Sequence, residues 1–314
     1  MRLLRGPHPK EHPELPTVVT IGNFDGVHLG HQQLIEKLQG MAQQQHWATA
    51  VVLFEPQPQE YFRPKQAPPR LFSLRDKVMA LRELGVDWVW VLRFDARLAN
   101  ESAADFVRHR LVGVLRAKHV VVGDDFRFGA GRQGDLALLQ SLGNQLGFRA
   151  EGMSSFCVQS TRVSSTAVRN LLAANDFLGA QALLGRPYRL AGRVMYGQQL
   201  GRTLGFPTAN IAIGPYPRAV DGVYRVWARC GTDPTPQPAI ANVGVKPSFA
   251  HLGPMLEVHL LNGNPNLYGE VLSVEWIDKV RDARKFDSLA ELQAAILTDI
   301  ANARAAFAQT QNGY

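Results

Sequence analysis

The chain has very little cysteine. Among 314 residues only Cys157 and Cys230 occur, far apart and without a paired spacing, which excludes a disulfide framework and a structural zinc site. Long apolar runs are missing too. The longest, such as Val51 to Phe54 and Trp88 to Leu92, fall far short of a membrane span. The N-terminus is broken by Pro7, Pro9, Pro13 and Pro16 and has no apolar stretch of signal-peptide length. The expectation is a cytoplasmic protein with no membrane partner. No run of five or six basic residues appears, and Lys and Arg are scattered as on a solvated surface. The net charge of +7 and the pI of about 9.6 would suit nucleic acid, but they equally suit an enzyme of phosphorylated substrates. The scatter favours the second reading and predicts no nucleic-acid partner. Nothing in the sequence sets an oligomeric state.

What is present is ordinary for a globular chain. Hydrophobic residues make up 46% and charged residues 19%, so disorder, a coiled coil or a collagen-like repeat need not be invoked. The length predicts two domains. In the first half, β-rich runs at 17–22, 48–54, 87–92 and 118–123 alternate with helical periodicity. Leu34, Leu38 and Met41 share one helical face, as do Val78, Leu81 and Leu84. This alternation predicts an α/β fold, a Rossmann-like parallel sheet covered by helices, with ligands at the carboxyl ends of the strands.

The pattern changes at Leu184-Gly185-Arg186-Pro187, where Gly and Pro end a helical stretch, so the boundary is placed between domains 1–184 and 185–314. Beyond it come YRLAGRVMYG, GVYRVWARC, PAIANVG, MLEVHLL and VLSVEWIDKV, then one helical segment, SLAELQAAILTDIANARAAFA. Short strands closed by one helix predict a small β-barrel. Residues 231–238, GTDPTPQP, read as a surface loop.

After the first strand of the first half, at 17–22, stands GNFDGVHLGH, residues 22–31, and then a helix. His28 and His31 sit at the mouth of that helix, where backbone N–H groups and the helix dipole favour phosphate. Gly30 permits close approach of a nucleotide. The two rings can donate to a triphosphate as charge develops at phosphorus. Partly exposed capping histidines are the plain alternative, and metal ligation lacks a third clustered ligand.

With these residues in place, GNFDGVHLGH resembles the His-x-Gly-His element of the nucleotidyltransferase superfamily, in the form found in prokaryotic bifunctional riboflavin kinase/FMN adenylyltransferases. FEPQPQEYF at 54–62, VGDDFRFGAGRQGD at 122–135 and TRVSSTAVRNLL at 161–172 fit the same family. The resemblance implies that His28 and His31 are catalytic and that Gly22, Phe24 and Gly30 contact ATP. It also makes Ser164, Ser165, Thr166 and Arg169 a second phosphate-binding segment at a helix start. Gln57 departs from the family, where histidine is frequent. Gly129 to Gly134 matches G-x-G-x-x-G, but six residues separate it from its strand, so a dinucleotide fingerprint is weak. The loop is expected to line the nucleotide or flavin pocket, with Asp124, Asp125 and Phe128 as flavin contacts.

In the second half GQQLGRTLGFPTANI, residues 197–211, is not a Walker A loop, because three residues separate Gly197 and Gly201 and Arg202 stands where lysine belongs. It resembles the G-x-T-x-G-F-P-T-A-N segment of riboflavin kinases. That resemblance implies ATP contacts from Gly201, Thr203, Thr208 and Asn210, with Thr208 and Asn210 holding Mg²⁺ through neutral oxygens. Alternation along MLEVHLL puts Glu257 and His259 on one face. A lone Glu there is normally surface-facing; by resemblance to the family's L-E-V-H-L segment, Glu257 is the general base on the ribityl hydroxyl. Gly222, Tyr224 and Arg281 are implied flavin contacts. VKPSF at 245–249 and Asn262 depart from the family's usual Arg-Pro-Thr-Phe and Asp.

The residues alone reach nucleotide-dependent phosphoryl or nucleotidyl transfer. The resemblance, over roughly 17–305, implies riboflavin, FMN, FAD and ATP as partners, with Mg²⁺ as cofactor. An RNA-binding synthetase-like protein and a non-catalytic flavin-binding module are the rival classes.

Overall fold

A computed structural model describes residues 1–196, 205–231, 233, 235–245, 253–263 and 265–311. Two compact units divide the chain: Met1–Pro68 with Leu74–Ser165, and Pro69–Ser73 with Thr166–Tyr314.

The first unit is built on six parallel strands in the order β1-β4-β3-β2-β5-β6. They are β1 (Arg2–Arg5), β2 (Thr17–Ile21), β3 (Ala48–Glu55), β4 (Trp88–Arg93), β5 (Ala117–Gly123) and β6 (Arg149–Met153). The central strands are Val- and Leu-rich and buried along nearly their whole length, as a sheet covered on both faces requires. β1 was not expected. RLLR has no alternation to announce a strand, and its place at the sheet edge comes from pairing with β4. β2 lies between β3 and β5, so the chain leaves it first to one side and later to the other. The carboxyl end of β2 is therefore a topological switch point, where open α/β sheets bind ligands.

Helix α1 (Leu29–Gln45) buries Leu34, Ile35, Leu38 and Ala42; Met41, expected on that face, is only partly buried. α2 (Pro58–Phe62) follows β3, and α3 (Leu74–Glu83) precedes β4. α3 turns Lys77, Ala80 and Leu81 inward, so the buried face carries a lysine where the apolar spacing pointed to Val78. α4 (Ala96–Ala99) and α5 (Ala103–Asp105) lead into a π-helix, Phe106–Val114. α6 (Leu136–Leu146) joins β5 to β6. A short antiparallel pair, β7 (Cys157–Val158) and β8 (Thr161–Arg162), precedes α7 (Ser165–Ala173).

The second unit holds α8 (Phe177–Leu184) and a closed antiparallel barrel in the order β10-β13-β12-β11-β14-β9. Its strands are β9 (Arg189–Met195), β10 (Ala209–Ala212), β11 (Gly222–Cys230), β12 (Gln237–Val245), β13 (Pro254–Leu260) and β14 (Val271–Arg281). Closure leaves no free sheet edge. Inward residues such as Val226, Ala241, Val258 and Val274 are at most 1% exposed. The C-terminal helix, Leu289–Gln311, packs Ile300, Ala303 and Phe307 against Val223 and Ile240.

Candidate active sites

In the first unit the turn after β2 is tightly constrained. Phe24, Gly26 and Val27 all have positive φ, at 47°, 82° and 43°. A β-branched residue in that region is a true outlier, and such strain persists only where the surroundings over-determine it. Phe24, Asp25, Val27 and His28 are all buried. Lys77 Nζ lies 4.0 Å from Asp25 Oδ1, Gln32 Nε2 donates to Val27 O at 2.9 Å, and Ser165 Oγ donates to Asp25 O at 2.9 Å.

This frame sets the two histidines. His28 is the N-cap of α1, and its Nδ1 accepts from His31 N–H at 3.4 Å. With Nδ1 accepting, a neutral His28 ring carries its proton on Nε2. The His28 and His31 rings stack, centroids 3.7 Å apart, and the buried Phe24 ring lies 4.6 Å from His31. At Gly30 a Cβ would press on the His28 ring at 3.3 Å and approach Val163 O at 3.7 Å, so glycine keeps the stack and the 163–165 segment in close register. The first turn of α1 carries no acidic residue, leaving its dipole for an anion. Gln57 sits before α2 with its side chain buried, and its N–H donates to Glu60 Oε2 at 2.7 Å.

Beside this turn, at the carboxyl ends of the sheet, is a cavity of about 870 Å³ lined by Gly22, Asn23 and six phenylalanines, Phe54, Phe62, Phe94, Phe106, Phe126 and Phe128. Phe126 and Phe128 stack at 5.3 Å; Phe62 meets Phe94 edge-on at 5.6 Å. Arg63, Arg127 and Arg132 stand in its wall with one carboxylate, Glu101, and Arg127 is paired with Asp135 at 2.9 Å, so the wall is cationic on balance. An aromatic slot with a cationic wall accepts a flat heteroaromatic ring carrying phosphate. Gly129 and Gly131 of the glycine-rich loop border it, and Gly134 packs so closely beneath Phe128 that a Cβ there would lie 2.8 Å from the ring. Phe128 lines the cavity. Asp124 and Asp125 are exposed and face Arg162, with Asp125 Oδ2 3.2 Å from its guanidinium, and they are not in the lining. The other five phenylalanines escaped sequence reasoning because they are dispersed from residue 54 to 126 with no common spacing.

Of the second phosphate segment, Ser164 and Ser165 belong to the first unit, whereas Thr166 and Arg169 belong to the second. There Arg169 Nε donates to Pro69 O at 2.6 Å.

In the barrel, one rung gathers three polar side chains. Glu257 on β13 is the register partner of Asn210 on β10 and of Asn242 on β12. Asn242 Nδ2 donates to Glu257 Oε2 at 3.2 Å, and Asn210 Nδ2 donates to Thr208 O at 3.3 Å. A cavity of about 260 Å³ adjoins the rung, lined by Thr208 and Asn210 together with Val194, Pro207, Leu260 and Tyr268. The chemistry fits a hard cation bridging phosphates: neutral side-chain oxygens with a carboxylate opposite. Among the described residues no group of three His, Cys, Asp or Glu is placed to hold a metal alone.

Gly201 and Thr203 lie outside the described residues, as do Lys246 to Phe249. Gly222 opens β11 opposite Val243, and Arg281 ends β14 opposite Val223. Arg281 Nε reaches both oxygens of buried Asp299, at 3.1 and 2.9 Å, so its guanidinium ties β14 to the C-terminal helix. Tyr224 is 1% exposed; its hydroxyl donates to Asp221 O at 2.6 Å, and burial pushes its pKa above 10. It is a core residue and does not line the 260 Å³ cavity.

The comparisons decide the family. Residues 10–167 match the FAD synthetase family model and residues 184–307 the riboflavin kinase model. Over 99% of both chains, the sequence is 45% identical to a bifunctional riboflavin kinase/FMN adenylyltransferase of Escherichia coli K12. The chain belongs to the bifunctional riboflavin kinase/FMN adenylyltransferase family. A second member, from Pseudomonas fluorescens, is 46% identical over 97% of each chain. A solved structure from Streptococcus pneumoniae, described as a macrolide-efflux protein, aligns over 96% of this chain and 98% of its own at 27% identity and a TM-score of 0.74. That likeness extends the shared architecture across both units of this family member. No helix among its described residues is long and apolar enough to cross a membrane.

Proposed function

We propose that this chain phosphorylates riboflavin to FMN with ATP and then transfers AMP from a second ATP to FMN, giving FAD and pyrophosphate. The observation that carries the reading is the identity over 99% of the chain with enzymes named for both activities. The geometry supports it by supplying one chemically suitable constellation in each unit. We place the division between activities after Leu184; the riboflavin kinase match over residues 184–307 and the end of α8 at Gly185, φ 72°, support this, although the compact second unit already begins at Thr166. A cytoplasmic setting fits two free cysteines.

In the kinase step Glu257 takes the proton of the ribityl 5′-hydroxyl. The freed oxygen lone pair forms a bond to the γ-phosphorus, the bond to the β–γ bridging oxygen breaks, and ADP leaves. Asn242 holds the carboxylate in one orientation. Thr208 and Asn210 would hold Mg²⁺ with the ATP phosphates, and the ion would supply charge neutralisation there.

In the adenylyl step the FMN phosphate, largely dianionic near neutral pH because its second pKa is about 6, needs no general base. Its oxygen forms a bond to the α-phosphorus of ATP and pyrophosphate leaves. His28 and His31, with the N-terminus of α1, donate to the oxygens on which charge accumulates. Ser164 and the backbone N–H of Ser165, whose hydroxyl proton is held by Asp25 O, adjoin that turn as donors to the distal phosphates. The phenylalanine-lined cavity takes the isoalloxazine ring.

Incubation with riboflavin, ATP and Mg²⁺, followed by chromatography, tests the reading. FMN should appear first and FAD after it. Riboflavin recovered unchanged, with ATP intact, would leave only a flavin-binding module.

A further inference from the structure

We propose that His259 is a positioning residue for the kinase reaction, latching the Pro207–Thr208 segment to the strand that carries the base. The inference rests on the reading that Thr208 and Asn210 receive Mg²⁺ and the ATP phosphates.

Along β13, Leu256, Val258 and Leu260 are buried while Glu257 and His259 are half-buried on the opposite face. His259 Nδ1 lies 2.9 Å from Pro207 O, 52 residues away in sequence. A carbonyl oxygen only accepts, so Nδ1 must carry the proton and the tautomer is fixed. Proline has no N–H to offer, so Pro207 is held through this carbonyl. The Phe206 ring meets the imidazole edge-on at 6.2 Å, adding an apolar contact to the polar one. Thr208 stands one residue beyond this latch and one residue before β10 begins at Ala209, so the barrel ladder does not fix it. Asn210 Nδ2 donates to Thr208 O at 3.3 Å. β13 therefore carries both the proton acceptor and, two residues on, the group that holds the phosphate-binding segment. That spacing is about 6.6 Å along a strand. One rigid element aligns the hydroxyl that attacks with the phosphate that is attacked.

The test uses the full-length protein with His259→Asn, His259→Gln and His259→Leu. An Asn amide reaches roughly where Nδ1 does, whereas a Gln amide reaches the Nε2 position. The expected result is a rise of up to about tenfold in the KM for ATP in riboflavin phosphorylation for the Leu and Gln variants, the loss of one hydrogen bond. The Asn variant should remain near wild type, and the KM for riboflavin and the rate of FMN conversion to FAD should not move. An unchanged KM for ATP in the Leu and Gln variants would overturn the proposal. So would equal losses in all three variants, because a merely structural histidine would show no selective rescue by Asn. Thr208→Ala, measured alongside, separates the two layers. If it leaves the KM for ATP unchanged, the assignment of Thr208 fails; if it raises the KM and His259→Leu does not, only the role of His259 fails.

Discussion

Glu257 accepts a hydrogen bond from Asn242 Nδ2 at 3.2 Å, from the residue that faces it in the β12–β13 register. A carboxylate that must meet a hydroxyl in one orientation gains from such a donor, and hydrogen bonds to charged groups contribute about 1.5–3 kcal/mol. Asn242→Ala should lower kcat for riboflavin phosphorylation by about tenfold or more. Asn242→Asp should lower it further, because it sets a second carboxylate against the first. Steady-state kinetics of the two variants check the order; equal activity in both would leave Asn242 a packing residue.

The phenylalanine-lined cavity of the first unit, proposed to take the isoalloxazine ring, makes a separate prediction. Phe62 lines it and is 60% exposed, so its loss should not unfold the unit. An aromatic pair contributes about 0.5–1.5 kcal/mol beyond burial, roughly 2- to 12-fold in affinity. Phe62→Ala should raise the KM for FMN in FAD formation by about that factor. Riboflavin phosphorylation by the same variant should be unaffected.

Much of this architecture is legible in the sequence because the hydrophobic period changes at the right places. β11 coincides with the run GVYRVWARC, and the buried strands β3 and β4 coincide with apolar runs bounded by turn residues. The edge strand β1 was not legible, since RLLR has two charged ends and no alternation. The turn 22–31 could be read as chemistry because His28, Gly30 and His31 lie within four residues. The phenylalanine slot could not, since only folding gathers residues from four strand ends. Tyr224 and Arg281 show the converse: the short motifs that carry them did not announce their structural partners, Asp221 O for the buried Tyr224 hydroxyl and Asp299 for the Arg281 guanidinium.

Lys77 and Asp25 form an ion pair whose side chains are each 2% exposed. Removing one partner of a buried pair costs about 3–5 kcal/mol. Lys77→Met should therefore lower the melting temperature. In the protein that remains folded it should also depress FAD formation, because Asp25 belongs to the turn that carries His28. A variant with unchanged melting behaviour would show that the pair is not a structural support.

Burial lowers the pKa of His119 below 6.5, against the opposing pull of Glu151, whose Oε1 is 3.6 Å from its Nε2. The unfolded chain then binds the proton more readily than the folded one, so this residue's contribution is complete above pH 6.5 and is lost as pH falls toward the lower folded-state value. His119→Gln should flatten the decline in denaturant midpoint between about pH 7 and pH 5. Parallel declines in variant and wild type would contradict the assignment.

The central claim is that two chemically independent sites occupy one chain, and a crossed assay of two variants tests it most directly. Glu257→Gln and His31→Ala are each given riboflavin or FMN, with ATP and Mg²⁺, and the flavins are resolved by chromatography. The glutamine variant should convert FMN to FAD and leave riboflavin untouched, its kinase rate reduced by about 10² to 10⁴ for want of a base. The alanine variant should turn riboflavin into FMN at near wild-type rate and make little FAD from either flavin. A folded variant that loses both reactions together, or either variant that keeps both, would contradict the account.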